Sequence, residues 1–183
     1  MPHLSARRWT RRSVLALGVG STALLLGTTT ARALTVTVGG LSFAVPDTIQ
    51  PVPNDHSLGQ GWQWLGRLDQ QPAGQRAATV VLARADIASV DPQEVIGLLL
   101  ANSTAGFMPG LEVGTRRVRL MPGGGDQTRI DVRYLASRDL PFHGTVLVAT
   151  RAEPPAAALV IVGDKDLTAG TIDGVLDSAR WLS

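Results

Sequence analysis

The chain offers few groups able to do covalent chemistry, and their spacing restricts what they could do. There is no cysteine, which removes thiol catalysis, cysteine-ligated zinc and iron–sulfur clusters together. The histidines are His3, His56 and His143. His56 follows Asp55 in a run of Pro, Asn and Asp, and His143 opens a strand-like segment. A hydrolytic triad needs a nucleophile, a base and a group that orients the base. No Gly-x-Ser-x-Gly elbow is present, and Ser137, the serine nearest to His143, lies across a turn. A small secreted hydrolase with its site at Asp55 and His56, in the 46–60 loop, is therefore the alternative reading. Ordinary surface histidines are the plain one, and no enzyme is expected.

Asp164-Lys165-Asp166 could suggest a cation site. Calcium loops, however, need about five or six oxygens spread over about a dozen residues. Two aspartates before a helix more often cap it, so no metal and no cofactor are expected. Gly123-Gly124-Gly125 lacks the Lys-Ser/Thr of a phosphate loop and precedes a strand, so it reads as a hairpin tip.

Arginine marks the 111–136 hairpin. A tip centred on Gly124 puts Arg119 opposite Arg129, Arg117 opposite Asp131 and Thr115 opposite Arg133, with Val118 and Ile130 on the inner face. Like charges across a strand pair are mildly destabilising, and an adjacent anion would relieve them. Arg117, Arg119, Arg129 and Arg133 thus form a candidate anion patch for phospholipid head groups or teichoic-type polymers. A solvated sheet face is the bland alternative. Nucleic acid is not expected, because one tyrosine and few aromatics offer poor stacking.

The elements that would position these groups read as α+β. Leu34–Val38 and Leu41–Val45 alternate around Gly39-Gly40, as a hairpin does. Residues 46–60 read as a loop. Trp62 to Leu68 alternates as a half-buried strand, 70–75 as a turn, and Ala77 to Ala83 as an apolar strand. Asp91-Pro92-Gln93-Glu94 starts a helix, with Asp91 as cap, Pro92 at the first helical position and Glu94 reaching back. The helix runs Val95 to Ala101, apolar nearly all round, and is expected to be deeply buried. Its apolar face and Trp62/Trp64 could line a pocket or be plain core. Four strands follow, at about 111–120, 128–136, 143–152 and 156–163, joined by short links that favour a meander. Ala157 to Val162 is polar nowhere and reads as a central strand covered on both faces. A last helix starts between Asp166 and Ala169. It gathers Leu167, Ile172, Val175, Leu176, Ala179 and Leu182 on one face, with Asp173 and Asp177 on the other.

The first 33 residues read as an export address: a basic start, a short apolar middle and a small-residue cleavage site. Thr10-Arg11-Arg12-Ser13-Val14-Leu15 resembles the twin-arginine signal pattern, with Val14 where that pattern prefers Phe. Ala31 and Ala33 place the cut before Leu34, giving a signal peptide at 1–33 and a single domain at 34–183. General-route export and a retained anchor are the alternatives. The apolar run is shorter than the roughly 20 residues of a spanning helix, so no stable transmembrane helix is expected after processing. No Cys follows the cut, so a lipoprotein anchor is excluded. Losing five arginines leaves twelve basic residues against fifteen acidic ones, a net charge of −3 where the full chain has +2. The basic balance of the full chain is thus a property of its start and is no argument for nucleic acid. A single lysine, Lys165, stands against sixteen arginines, a bias that resembles a GC-rich actinobacterial genome.

The element order β-β-β-β-α-β-β-β-β-α resembles the Mog1/PsbP-like α/β sandwich, and in particular small exported actinobacterial proteins similar to the LpqN family. The residues that carry the resemblance are Leu41-x-Phe43-x-Val45-Pro46, the Trp62/Trp64 strand, the helix after Asp91-Pro92, the four-strand run and the close Asp177-Ser178-Ala179-Arg180. The chain lacks the lipid-bearing Cys typical of the lipoprotein members. The resemblance implies a mainly antiparallel sheet of about seven to eight strands flanked by two helices. It also implies a non-catalytic accessory or binding role in the cell envelope, with an envelope component or a protein as partner, and it carries over no site residue.

Overall fold

The computed structural model describes residues 32–52, 61–68, 79–104, 108–137, 140–152 and 155–182. The chain divides into two compact units, Met1–Thr30 and Ala31–Ser183, and the first lies outside the described residues. So do the Arg11-Arg12 motif, Ala31, the Asp55-His56 pair and the 70–75 turn. No helix among the described residues is long and apolar enough to cross a membrane.

In chain order the elements are β1 (Ala33–Val38), β2 (Leu41–Pro46), β3 (Ile49–Pro51), β4 (Trp64–Leu68), β5 (Thr79–Ile87) and α1 (Pro92–Thr104). They continue with β6 (Glu112–Leu120), β7 (Asp126–Ser137), β8 (Leu140–Thr150), β9 (Ala156–Gly163), α2 (Ala169–Asp177) and β10 (Arg180–Trp181). The strands form a large sheet in the order β3-β4-β5-β9-β8-β7-β6 and a small one in the order β1-β2-β10. Every pairing is antiparallel. The class is the expected α+β antiparallel sheet with two helices, its strands divided between two sheets.

The first hairpin turns at Gly39 (φ 51°) and Gly40 (φ 90°), the left-handed pair that a two-residue turn demands. β1 includes Ala33, which pairs with Pro46. The backbone N–H of Asp47 donates to the carbonyl of Arg32 at 3.0 Å.

Three expectations about this half need correction. The 46–60 loop contains β3, in which Ile49 is buried and Pro51 sits on the sheet edge, where a missing N–H is tolerated. The strand expected from Trp62 begins only at Trp64, so the two tryptophans part company. Trp62 packs with the core under α1, while Trp64 packs in the other core, edge-on to Phe43 at 5.6 Å. Finally, α1 is buried along one stripe only. Val95, Ile96 and Leu99 face inward while Leu98 is 46% exposed, because the helix meets the sheet on one side.

The start of α1 is capped, though not by the reciprocal box. Asp91 Oδ1 accepts from the N–H of Gln93 at 2.8 Å. Glu94 instead accepts from the Ser89 hydroxyl at 2.7 Å, and Ser89 Oγ accepts from the N–H of Asp91 at 3.2 Å.

β9 is buried along its whole length between β5 and β8, the central strand that its sequence implies. Alternation along it sends Ala157, Leu159 and Ile161 into one core and Ala156, Ala158, Val160 and Val162 into the other. The first core lies beneath the small sheet and α2, the second beneath α1.

α2 ends sooner than expected. Thr168 caps its start, accepting from the N–H of Thr171 at 3.1 Å. At its end Ser178 Oγ accepts from the N–H of Ala44 at 2.7 Å and stitches the helix to β2. The chain then turns into β10, and Leu182 is 42% exposed instead of buried. The backbone N–H of Trp181 donates to Pro122 and that of Leu182 to Gly40, so these short ladders outcompete another helical turn.

Candidate functional site

β7 builds the site because it alternates polar and apolar residues. Ile130, Val132 and Tyr134 turn toward α1, while Gln127, Arg129, Asp131 and Arg133 turn toward the α2 side. The hairpin tip lies one residue earlier than Gly124. Leu120 pairs with Asp126, so Arg119 faces Gln127, Arg117 faces Arg129 and Arg116 faces Ile130. The pairing is therefore displaced by two residues from the expected one, which preserves the faces. A bulge between Val113 and Arg116 sets Gly114 and Thr115 against Asp131 and brings Glu112 opposite Arg133. Gly123 cannot carry a side chain here: its φ is 88°, and a Cβ would collide with the carbonyl of Trp181.

Of the four candidate anion-patch arginines, the structure buries one. Arg129 is 2% exposed. Its Nη2 lies 2.6 Å and its Nη1 3.7 Å from the carboxylates of Asp177 and Asp173 on α2. Its Nε donates to Gln127 Oε1 at 2.9 Å, and Gln127 Nε2 donates to the carbonyl of Leu120 at 3.3 Å. The charge that the sequence offers to an outside anion is answered by the chain's own helix. Arg117 is answered too, with its Nη2 2.6 Å from Asp131 Oδ1. That oxygen also accepts from Thr145 at 3.2 Å. Arg119 lies 3.6 Å from Asp177 in the open. Only Arg133 is exposed and without an ion pair among the described residues.

Arg133 faces His143 across β7–β8, and both line a groove of about 690 Å³ beside the start of α2. Lys165, Thr145, Asp131 and Asp173 line it as well. The half-buried His143 ring turns Nε2 to the carbonyl of Leu167 at 2.9 Å. A carbonyl only accepts, so that nitrogen carries the proton and Nδ1 is left for solvent or a ligand. Lys165, like Arg133, has no carboxylate partner among the described residues. Asp164 and Asp166 make a local turn, with the N–H of Asp166 donating to Asp164 Oδ1 at 3.0 Å. No three His, Asp or Glu side chains among the described residues converge on a point that could hold a metal ion. The groove thus brings Arg117, Arg133 and Lys165 together with the carboxylates of Glu112, Asp131 and Asp173, the imidazole of His143 and the hydroxyl of Thr145.

Of the two readings of the α1 face and Trp62, pocket or plain core, the structure shows core. A void of about 10 Å³ remains among Trp62, Ile96, Leu99, Met108, Val146 and Val160, room for a single water at most. Sequence reasoning did not find the groove itself. Arg133 and Lys165 were each visible, but 32 residues and an unknown register separate them.

The fold is PsbP-like. It resembles the solution structure of cyanobacterial PsbP (CyanoP) from Synechocystis sp. PCC 6803, at 13% identity and a TM-score of 0.60, covering 89% of this chain and 100% of that one. It is also similar to a protein of Bacteroides thetaiotaomicron VPI-5482, at 11% identity and a TM-score of 0.48, covering 81% of this chain and 47% of that one. No protein-family model matches the sequence, and no curated protein matches it.

Proposed function

We propose that the chain is an exported, non-catalytic accessory domain that binds an anionic group of a cell-envelope component in the groove beside α2. The observation that carries this reading is the pair of cations that make no ion pair among the described residues, Arg133 and Lys165, set around His143 in a groove of about 690 Å³ whose carboxylates are Glu112, Asp131 and Asp173. Export follows from the resemblance of Thr10-Arg11-Arg12-Ser13 to a twin-arginine signal and from the small residues Ala31 and Ala33. The accessory role follows from the resemblance of the sequence to small exported envelope proteins. The partner is an anionic lipid head group or a phosphate-bearing wall polymer.

Co-sedimentation at low salt tests it. The full chain is spun with phosphatidylglycerol vesicles, with neutral phosphatidylcholine vesicles and with insoluble cell wall. Retention on an anionic surface that falls as salt rises, and that Arg133→Glu with Lys165→Glu abolishes, is the expected result. Retention on vesicles alone names the lipid, and retention on wall alone names the polymer. Equal retention of the variant would remove the reading. Arg129 is unsuitable for this test, because its burial makes any loss ambiguous.

A further inference from the structure

We propose that β6 is a docking edge that takes an extended, acidic segment of a partner protein as an added strand. β6 ends the seven-stranded sheet, and among the described residues only β7 pairs with it. All nine of its residues are exposed. Three are apolar and unusually open: Val113 at 51%, Val118 at 59% and Leu120 at 84%. An edge with free backbone groups is a template for another strand, and proteins blunt such edges with proline, lysine or a covering element. β6 has neither proline nor lysine. Its one irregularity, the bulge at Gly114–Thr115, leaves Arg116 to Leu120 in regular register.

Charge selects the occupant. Arg116, Arg117 and Arg119 fall within four positions, and Arg116 has no ion pair among the described residues. The partners of Arg117 and Arg119 are themselves solvent-exposed, where such pairs contribute little and exchange readily. A second copy of this chain suits the edge poorly. A two-fold pairing centred on Arg116 sets Arg116 against itself and Thr115 against Arg117, and one centred on Val118 sets Arg117 against Arg119. Like charges directly opposite are destabilising. An acidic strand does the reverse. Alternation places Arg117 and Arg119 on one side of β6 and Arg116, Val118 and Leu120 on the other. A segment alternating acidic and apolar residues therefore meets Arg117 and Arg119 on one face and Val118, Leu120 and the apolar stem of Arg116 on the other, with the Arg116 charge adding to the attraction, while its backbone completes the ladder.

The test is an NMR titration of the full chain with a capped nine-residue peptide of alternating Glu and Val. Two controls run beside it: alternating Lys and Val, and the Glu/Val peptide N-methylated at every second residue. The acidic peptide is expected to shift the amide signals of β6 and to bind at least about tenfold more tightly than either control. Arg116→Glu with Val118→Glu is expected to weaken it about tenfold without moving the urea midpoint. Absence of binding, shifts away from β6, or indifference to N-methylation or to peptide charge would each overturn the proposal. So would a dimer through β6 in sedimentation equilibrium, which would give the edge to a second copy. Neither altered residue lines the groove, so this proposal and the groove reading fail separately.

Discussion

The two faces of the large sheet are closed by different physics. Toward α1 the strands present Leu82, Ile130, Val132, Val146, Val148 and Val160, and the helix seals them to within a void of about 10 Å³. Toward α2 the apolar core stops at β8, because β7 turns Gln127, Arg129, Asp131 and Arg133 to that side. A helix can cover those residues only where it brings charge of opposite sign. α2 does so at Arg129, with Asp173 and Asp177, and beyond Arg129, toward Arg133, the sheet stays open as a groove. Apolar burial is non-directional and closes a face wherever shapes fit. Charge closes a face only residue by residue, and what it leaves unmatched is available for binding.

The sharpest way to break this contrast is on the closed face. Leu82 is 2% exposed. Leu82→Ala is expected to cost about 2–5 kcal/mol, read in urea as a lowered midpoint with an unchanged slope. A cost under about 1 kcal/mol would mean that the α1 face collapses into the hole and is no tighter than the other.

On the charged face the expected effects are smaller and unequal. Asp177→Ala takes the nearer carboxylate from a buried guanidinium. Water reaches the half-exposed carboxylate, and Asp173 remains nearby, so the loss is about 1–3 kcal/mol rather than the larger cost of a fully buried pair. Arg129→Met removes the buried charge, keeps most of the volume and is expected to cost less than Asp177→Ala. The same urea titrations read both. If Arg129→Met cost more, the arginine would be contributing packing, and the face would be closed by the same physics as its opposite.

The parts that were legible in the sequence are those set by local pattern. Gly39-Gly40 fixed the first hairpin, Asp91-Pro92 the start of α1, and the unbroken apolar run at 157–162 the central strand. The misplaced parts depend on partners distant in sequence. Ile49–Pro51 is a strand only because β4 lies alongside it. β10 exists only because β2 and Pro122 accept its backbone. The register of β6 on β7 turned on a single residue at the tip, and β-strand alternation kept the faces right while the partners were wrong. Alternation in β7 also announced a polar face, but nothing local says that Arg129 is covered and Arg133 is not. That difference is made by Asp173 and Asp177, more than 40 positions later in the chain.

The last probe reads the border between the closed face and the groove, which Tyr134 and Phe142 line from the α1 side. Tyr134 is the sole tyrosine. It is 8% exposed and its ring lies 5.5 Å from that of Phe142, tilted by 59°. Burial raises its phenol from 10.0 to about 12, because a phenolate there would lose its water. The unfolded chain gives up this proton near pH 10 and the folded chain only near pH 12. This contribution to stability is therefore constant below pH 10 and is lost between pH 10 and 12, by at most about 2–3 kcal/mol. With a single phenol, its near-ultraviolet ionisation is expected as one step with a midpoint near 12, and Phe142→Ala should draw that step back toward 10. A wild-type midpoint already near 10 would mean that water reaches the ring. The core under α1 would then be open to water from the groove that Tyr134 and Phe142 line, and the contrast between the two faces would fail at their border.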